Sequence, residues 1–133
     1  MGAWGAGPFD NDDALDWLAT LSASRDFAAG RQALNVAGED YLEAPEGSTA
    51  LAAAEVVAAA LGHPAASLPD EVTAWVNSNA SVVAPRDVAI ALAAVERVLA
   101  GDSELRELWA DAAGDEWLDG VQALRQRLIA SRS

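Results

Sequence analysis

One stretch near the middle of the chain limits the possible folds more than any other. From Ala50 to Leu61, every residue is alanine, valine or leucine except Glu55. A helix formed by these residues is apolar on nearly every side, which is typical of a helix at the centre of a domain with other helices around it. The stretch is shorter than the roughly 20 apolar residues that a membrane span requires. We therefore expect a globular protein built around this segment.

Helix start and stop residues divide the rest of the chain into further helical segments, and no stretch alternates apolar and polar residues as a strand would. Pro85 suits a first helical turn, and Gly101 ends the apolar repeat that follows it. Like the stretch from Ala50 to Leu61, this segment is apolar on nearly every side, so we expect it to form a second central helix. The predicted segments are one from 10 or 11 to 22, then 26–37, 48–61, a short one from 69, 85–100, one from a cap at 102 or 103 to 109, and 115–130. The sequence thus predicts an all-α fold, a small orthogonal helix bundle of about seven helices.

Length and residue usage limit the organisation and the chemistry. A chain of 133 residues fits one domain, 1–133, with residues 1–9 as a Gly/Trp-rich segment before the first helix. The absence of cysteine excludes disulfides, thiolate metal sites and cysteine nucleophiles. The one histidine, His63, follows a predicted helix end, which favours an interaction with the helix dipole or solvent over catalysis. The N-terminus lacks the positive and apolar regions of a secretory signal, so we expect a cytoplasmic protein.

The charge is strongly one-sided. The chain has 21 Asp and Glu residues against eight Arg and no Lys, and its formal net charge is -13. So acidic a protein repels phosphate backbones and anionic lipids, which disfavours binding to nucleic acids or membranes. A basic protein is the natural partner.

The N-terminal segment contains the most distinctive motif. Glycines at positions 2, 5 and 7 surround Trp4, and Pro8 prevents a helix before it. Asp10 is then expected to cap the first helix, with Asp13 completing an approximate capping box. Trp4 is either a plug tucked into the bundle or an exposed contact residue.

This motif, the run Gly2–Trp17, resembles the opening of a bacterial family catalogued as domain of unknown function 4259. Tyr41–Ala44, Ala53–Val57 and Ser103–Trp109 are similar to the family as well, so the resemblance covers essentially the whole chain. It implies a small bacterial domain and brings no activity or catalytic residues with it.

The clustered aspartates allow a second interpretation. Carboxylates are oxygen ligands for Ca²⁺ and Mg²⁺, so Asp10, Asp12 and Asp13 are candidate ligands as well as solvated helix-start residues. The spacing does not match a calcium-binding loop, because Ala14 and Leu15 stand where a ligand and a glycine belong. We assign no metal ligand set and no cofactor.

Glu55 is the more unusual carboxylate because its helix is otherwise apolar. A buried carboxylate must be paired, hydrogen-bonded or protonated. Arg97, Arg31, an indole or a backbone N–H are candidate structural partners. The alternative is an acid with a perturbed pKa that lines a pocket, where functional carboxylates are found.

Two functional interpretations follow. The chain contains no nucleophile elbow, phosphate-binding loop or zinc-protease motif. We therefore favour a non-catalytic, acidic interaction or regulatory domain that binds a basic protein. The alternative is a small-molecule or divalent-metal site, which could be hydrolytic. It would require the first and third helices to face each other across a pocket, and its candidate binding residues are Trp4, Asp10, Asp12, Asp13 and Glu55.

Overall fold

The computed structural model describes residues 7–111 and 114–132, and these residues form helices joined by short loops. The helices are α1 (Asp12–Ser22), α2 (Ala28–Leu34), α3 (Ala44–Ala60), α4 (Asp70–Asn79), α5 (Arg86–Leu99), α6 (Glu104–Ala110) and α7 (Glu116–Ala130). A 3-10 turn, Ala80–Val82, follows α4. The described ranges contain no strand and no helix that is long and apolar enough to cross a membrane. The prediction of an all-α helical bundle is confirmed.

The apolar helix α3 lies at the centre of the bundle. Every residue from Ala50 to Ala59 is buried, and each of the other six helices contacts α3. Alanine at most of these positions keeps the helix narrow, so its neighbours can approach on all sides. The expectation that this segment is central is confirmed.

The helix α5 differs from the expectation that it is also apolar all round. It buries one face, which includes Val88, Val95 and Val98, whereas Ile90 and Glu96 are exposed on the other. The exposed side carries Arg86 and Glu96 at its two ends and small or apolar residues between them, so α5 is a one-sided helix packed against α3 rather than a second central one.

The first helix begins later than Asp10. The Asn11 side chain caps α1 by accepting a hydrogen bond from the Ala14 N–H at 2.8 Å. Asp10 instead lies in a tight turn, where its carboxylate accepts from the Gly7 N–H at 3.1 Å. The predicted Asp10 cap and the capping box with Asp13 are therefore wrong, because this turn delays the helix start by one residue.

The helix α3 begins at Ala44, four residues before the predicted start at Ser48. Two carboxylates satisfy the backbone N–H groups around its first turn: Glu104 accepts from Ala44 at 2.8 Å and Glu46 accepts from Glu43 at 3.3 Å. Glu104 belongs to α6, so this cap is a tertiary contact that local pattern does not show.

The predicted end of α3 is confirmed. Gly62 has a φ of 95°, a left-handed conformation that favours glycine. The N–H groups of Gly62 and His63 donate to the carbonyls of Ala59 and Ala58 at 3.1 and 2.8 Å. The helix α2, by contrast, is shorter than predicted, because the chain turns at Asn35 and buries the side chain of the next residue, Val36.

A partly buried ion pair joins α2 to α5. Arg31 donates from Nε and Nη2 to the two Asp87 oxygens at 2.9 and 3.0 Å, and the Ala84 N–H donates to Asp87 at 2.8 Å. Burial alone would raise the pKa of the Asp87 carboxyl, but the hydrogen bonds and the positive charges of Arg31 and Arg86 lower it below its usual value. Arg31 is therefore the partner of Asp87 and not of Glu55.

Candidate functional site

Glu55 forms a buried ion pair with the last helix. Arg127 of α7 donates from Nη1 and Nη2 to the two Glu55 carboxylate oxygens at 2.9 and 3.0 Å. Its Nη1 also donates to the His63 carbonyl at 3.3 Å, which ties α7 to the end of α3. The prediction that Glu55 is buried is correct, but the candidate partners Arg31 and Arg97 are wrong. The real partner lies 72 residues away in sequence, where no local pattern indicates it.

Arg97 has a different structural role. Its guanidinium donates to four backbone carbonyls, those of Glu39, Asp40, Gly101 and Asp102, at 2.9 to 3.2 Å. These carbonyls belong to the two loops that precede α3 and α6. Asp102 has a φ of 58°, which is uncommon for a residue other than glycine. Arg97 therefore fixes the two loops side by side and supports this conformation.

A cavity of about 240 Å³ lies between α3, α7 and the turn that leads into α1. Its apolar wall includes Leu51, Trp117, Val121 and Leu124, and its polar groups include the carboxylates of Glu55 and Glu116; Gly7, Pro8 and Gly120 complete the lining. Glu55 is thus paired with arginine and also faces a cavity. The helix α1 contributes no residue to this lining, so the cavity does not lie between the first and third helices.

The structure separates the N-terminal aspartates from Glu55. The Asp10 carboxylate accepts a hydrogen bond from the Gly7 N–H. Asp12 and Asp13 are exposed in the first turn of α1, where carboxylates interact favourably with the helix dipole. None of the three lines the cavity with Glu55. Over residues 7–111 and 114–132, no group of three or more His, Cys, Asp or Glu side chains is placed to hold a metal ion. Trp4 lies outside the described residues.

Sequence reasoning missed an exposed surface that combines apolar and acidic side chains, which we call the Tyr41–Leu108 patch. Leu108 is 58% exposed and Tyr41 is 45% exposed, the two highest values among the large hydrophobic residues that the structure describes. Three carboxylates complete the patch: Asp102, Glu104 and Glu107. The Tyr41 hydroxyl donates to Glu107 Oε1 at 3.0 Å, which holds the phenol against α6.

The neighbouring carboxylates affect the ionisation of the Tyr41 phenol. Desolvation raises the pKa of the Tyr41 phenol, and the hydrogen bond to Glu107 raises it further. The negative charges of Glu107, Glu104 and Asp102 act in the same direction, because each disfavours a phenolate nearby.

Two chain segments distant in sequence form the patch. Leu42 and Ser103 form a parallel β-bridge, in which the Leu42 N–H donates to the Asp102 carbonyl and the Glu104 N–H donates to the Leu42 carbonyl, each at 2.8 Å. Segments 41–44 and 103–109 both carry the family resemblance described above. That shared resemblance was the one sequence signal that could have pointed to this surface.

The distribution of charge over the molecule is uneven. Among the described acidic residues, all are exposed except Asp10, Glu55, Asp87 and Glu104. Five of the eight arginines are used in structural bonds: Arg31, Arg97 and Arg127 as described, Arg125 in an ion pair with Glu96 at 3.1 Å, and Arg106 in a hydrogen bond to the Leu99 carbonyl. Three of these arginines are paired with carboxylates, so the net charge of -13 is carried by acidic residues that are almost all exposed.

Fold and site together define a class: a small, acidic all-α domain whose arginines are used largely for internal structure. The family model described as Domain of unknown function (DUF4259) matches residues 2–120, and the chain belongs to this family. The resemblance noted from the sequence is thereby confirmed. Neither the curated proteins nor the solved structures contain a match to the chain.

Proposed function

We propose that this chain is a non-catalytic interaction domain of a cytoplasmic bacterial protein, and that it binds a basic protein through the Tyr41–Leu108 patch. The observation that carries the proposal is the exposure of two large hydrophobic side chains, Leu108 and Tyr41, among three carboxylates on an otherwise acidic surface. Exposed apolar groups bordered by polar ones are typical of protein contact sites.

On helix α6, the exposed Leu108 and the one arginine of the helix, Arg106, lie on opposite sides. At about 100° per residue, Leu108 lies about 40° from Glu104 on one side and about 60° from the buried Leu105 on the other, and Glu107 follows about 100° away beyond Glu104. Arg106, on the opposite side of the helix from Leu108, donates to the Leu99 carbonyl and thus belongs to the fold. A partner that approaches Leu108 therefore meets carboxylates and no competing arginine of α6.

The patch is also pre-organised. The Tyr41–Glu107 hydrogen bond, the Leu42–Ser103 bridge and the four carbonyl contacts of Arg97 fix both segments before any partner binds. A fixed surface loses little conformational entropy on association. The chemistry recognised would be an apolar side chain flanked by Arg or Lys, with the charges steering the encounter and Leu108 supplying buried area.

Affinity capture from a lysate of the source organism tests this proposal with two variants of equal charge. The patch variant is Asp102→Asn, Glu104→Gln, Glu107→Gln, and the amide that replaces the Glu104 carboxylate keeps an oxygen for the Ala44 N–H. The control variant is Asp16→Asn, Asp70→Asn, Asp119→Asn, on α1, α4 and α7, and it removes the same three charges from other exposed positions.

We expect wild type and the control variant to retain the same basic proteins, and the patch variant and Leu108→Ser to lose them. Equal loss in both triple variants would contradict the proposal, because binding would then follow net charge and not the patch. Retention of the same proteins by Leu108→Ser would contradict the role of the apolar group.

A further inference from the structure

The cavity between α3 and α7 has an apolar interior and a solvent-exposed edge. Its inner wall includes Leu51, Val121 and Leu124, and all three side chains are buried. Glu116 and Gly120 also line it, and both residues are exposed. The cavity therefore opens to solvent near the start of α7, with a carboxylate beside the opening.

Gly120 leaves extra room at this opening. It lies inside α7, where glycine is less favourable than alanine. Its φ is not positive, so the backbone conformation does not require glycine. A Cβ at this position would meet no atom within 4 Å, so no close contact requires glycine either. The structural effect of glycine here is a wider opening to the cavity.

The charges of the lining favour a cationic ligand. Glu55 is bound through both carboxylate oxygens to Arg127, so this pair is neutral overall. Glu116 has no hydrogen bond or ion pair within the part of the chain that the structure describes. None of the described lining residues is basic. An ammonium group at the opening would pair with Glu116, whereas a carboxylate or phosphate group would meet like charge.

The volume of the cavity fits one aromatic ring with a short side arm. An apolar cavity of about 150 Å³ holds benzene, and this cavity has about 240 Å³. Trp117 provides an aromatic wall, and its ring stacks on that of Trp109 with 6.4 Å between the centroids. This stacking holds the indole of Trp117 in place, and an aromatic ligand would gain a further ring contact from it.

We propose that this cavity binds a small primary amine with one aromatic ring, which packs against Leu51 and Leu124 while the ammonium group pairs with Glu116 at the opening. Mostly apolar walls with a few placed polar groups are typical of small-molecule sites. None of the three N-terminal aspartates lines this site. The site is distinct from the Tyr41–Leu108 patch, so either proposal can fail without the other.

The direct test is a titration of the full wild-type chain, carrying labelled Leu and Val methyl groups, with three probes of similar shape. At neutral pH phenethylamine is positive, 2-phenylethanol is neutral and 3-phenylpropionate is negative. We expect phenethylamine to shift the methyl signals of Leu51, Val121 and Leu124 saturably, with a Kd of about 0.1–1 mM. The alcohol should bind about two- to fivefold more weakly, and the carboxylate at least about tenfold more weakly. Absence of saturable shifts with phenethylamine, or equal affinities for the amine and the carboxylate, would overturn the proposal.

Single substitutions test the two ends of the ligand. Glu116→Gln should weaken the binding of phenethylamine by about two- to fivefold and leave that of 2-phenylethanol unchanged. Glu71→Gln, at an exposed position of α4, removes the same charge elsewhere and should change neither affinity. Gly120→Leu should fill the opening and abolish the binding of both probes. An unchanged affinity for phenethylamine in Glu116→Gln or in a folded Gly120→Leu would overturn the proposal. If Gly120→Leu does not fold, the methyl shifts of wild type and the comparison of Glu116→Gln with Glu71→Gln decide the matter.

Discussion

At the scale of single residues, the Glu55–Arg127 ion pair makes a specific prediction for the free energy of unfolding. Glu55 is 3% exposed and receives two hydrogen bonds from Arg127, so removal of Arg127 leaves a buried carboxylate without its cation. Arg127→Met is expected to lower the free energy of unfolding by about 3 kcal/mol. The double variant Glu55→Leu, Arg127→Met should lie within about 1 kcal/mol of wild type, since it removes both charges. Urea unfolding measures the free energy of unfolding of both variants. A double variant as unstable as Arg127→Met would show that the unpaired Glu55 carboxylate does not cause the loss of stability.

The titration of Tyr41 reports the electrostatics of the patch. It is the only tyrosine in the chain, so tyrosinate absorbance at about 295 nm measures it alone. We expect a midpoint above the usual value of about 10, because the Tyr41 pKa is raised. Glu107→Gln should lower this midpoint, whereas Glu71→Gln on α4 should not. An unchanged midpoint in Glu107→Gln would refute the arrangement of the patch.

The same pKa shift has a consequence for stability with a definite sign. The folded chain holds the phenolic proton to higher pH than the unfolded chain does. The contribution of Tyr41 to stability is therefore fully present below about pH 10 and is lost as the pH rises through the folded pKa. In Glu107→Gln this alkaline loss should be smaller.

At the scale of helices, replacement of glycine by alanine is expected to have opposite effects on stability at two positions of the bundle. A Cβ at Gly30 in α2 would lie 2.1 Å from Phe27 Cε1, and this ring is fully buried against Trp75. Gly30→Ala should therefore destabilise the protein by about 1–3 kcal/mol in spite of the better helix propensity of alanine.

Gly120 in α7 is the matched control. A Cβ there meets nothing within 4 Å, and Gly120→Ala should stabilise the protein by about 0.5–1 kcal/mol. Thermal or urea unfolding of the two variants decides the point, and a stabilised Gly30→Ala would show that the Phe27 ring can move aside.

Helices were largely predictable from the sequence, and contacts between them were not. The all-apolar run in α3 and the glycine at its end act within a few residues, so local pattern located the core helix and its C-terminus. Its N-terminus depends on Glu104, and Glu55 depends on Arg127; both partners come from distant helices. The Tyr41–Leu108 patch was missed for the same reason, because it exists only once two loops are brought together.

At the scale of the whole molecule, the excess of negative charge opposes the compact state. Added salt should therefore raise the melting temperature of this protein by screening that repulsion. At matched ionic strength, NaCl, MgCl₂ and CaCl₂ should act alike, because the described carboxylates form no group placed to hold a metal. An extra shift with one divalent cation that Asp13→Asn abolishes would contradict this and would favour the alternative site built on the N-terminal aspartates.

The measurement that tests the central claim most directly is the mapping of a basic probe on the labelled domain by amide chemical shifts. The probe is an arginine-rich helical peptide with one leucine face, and its control has the same composition with the leucines dispersed. We predict shifts concentrated in residues 41–44 and 102–108, and binding at least about tenfold weaker to Leu108→Ser and to the control peptide. Shifts spread evenly over the acidic surface, with equal affinities for both peptides, would contradict the account.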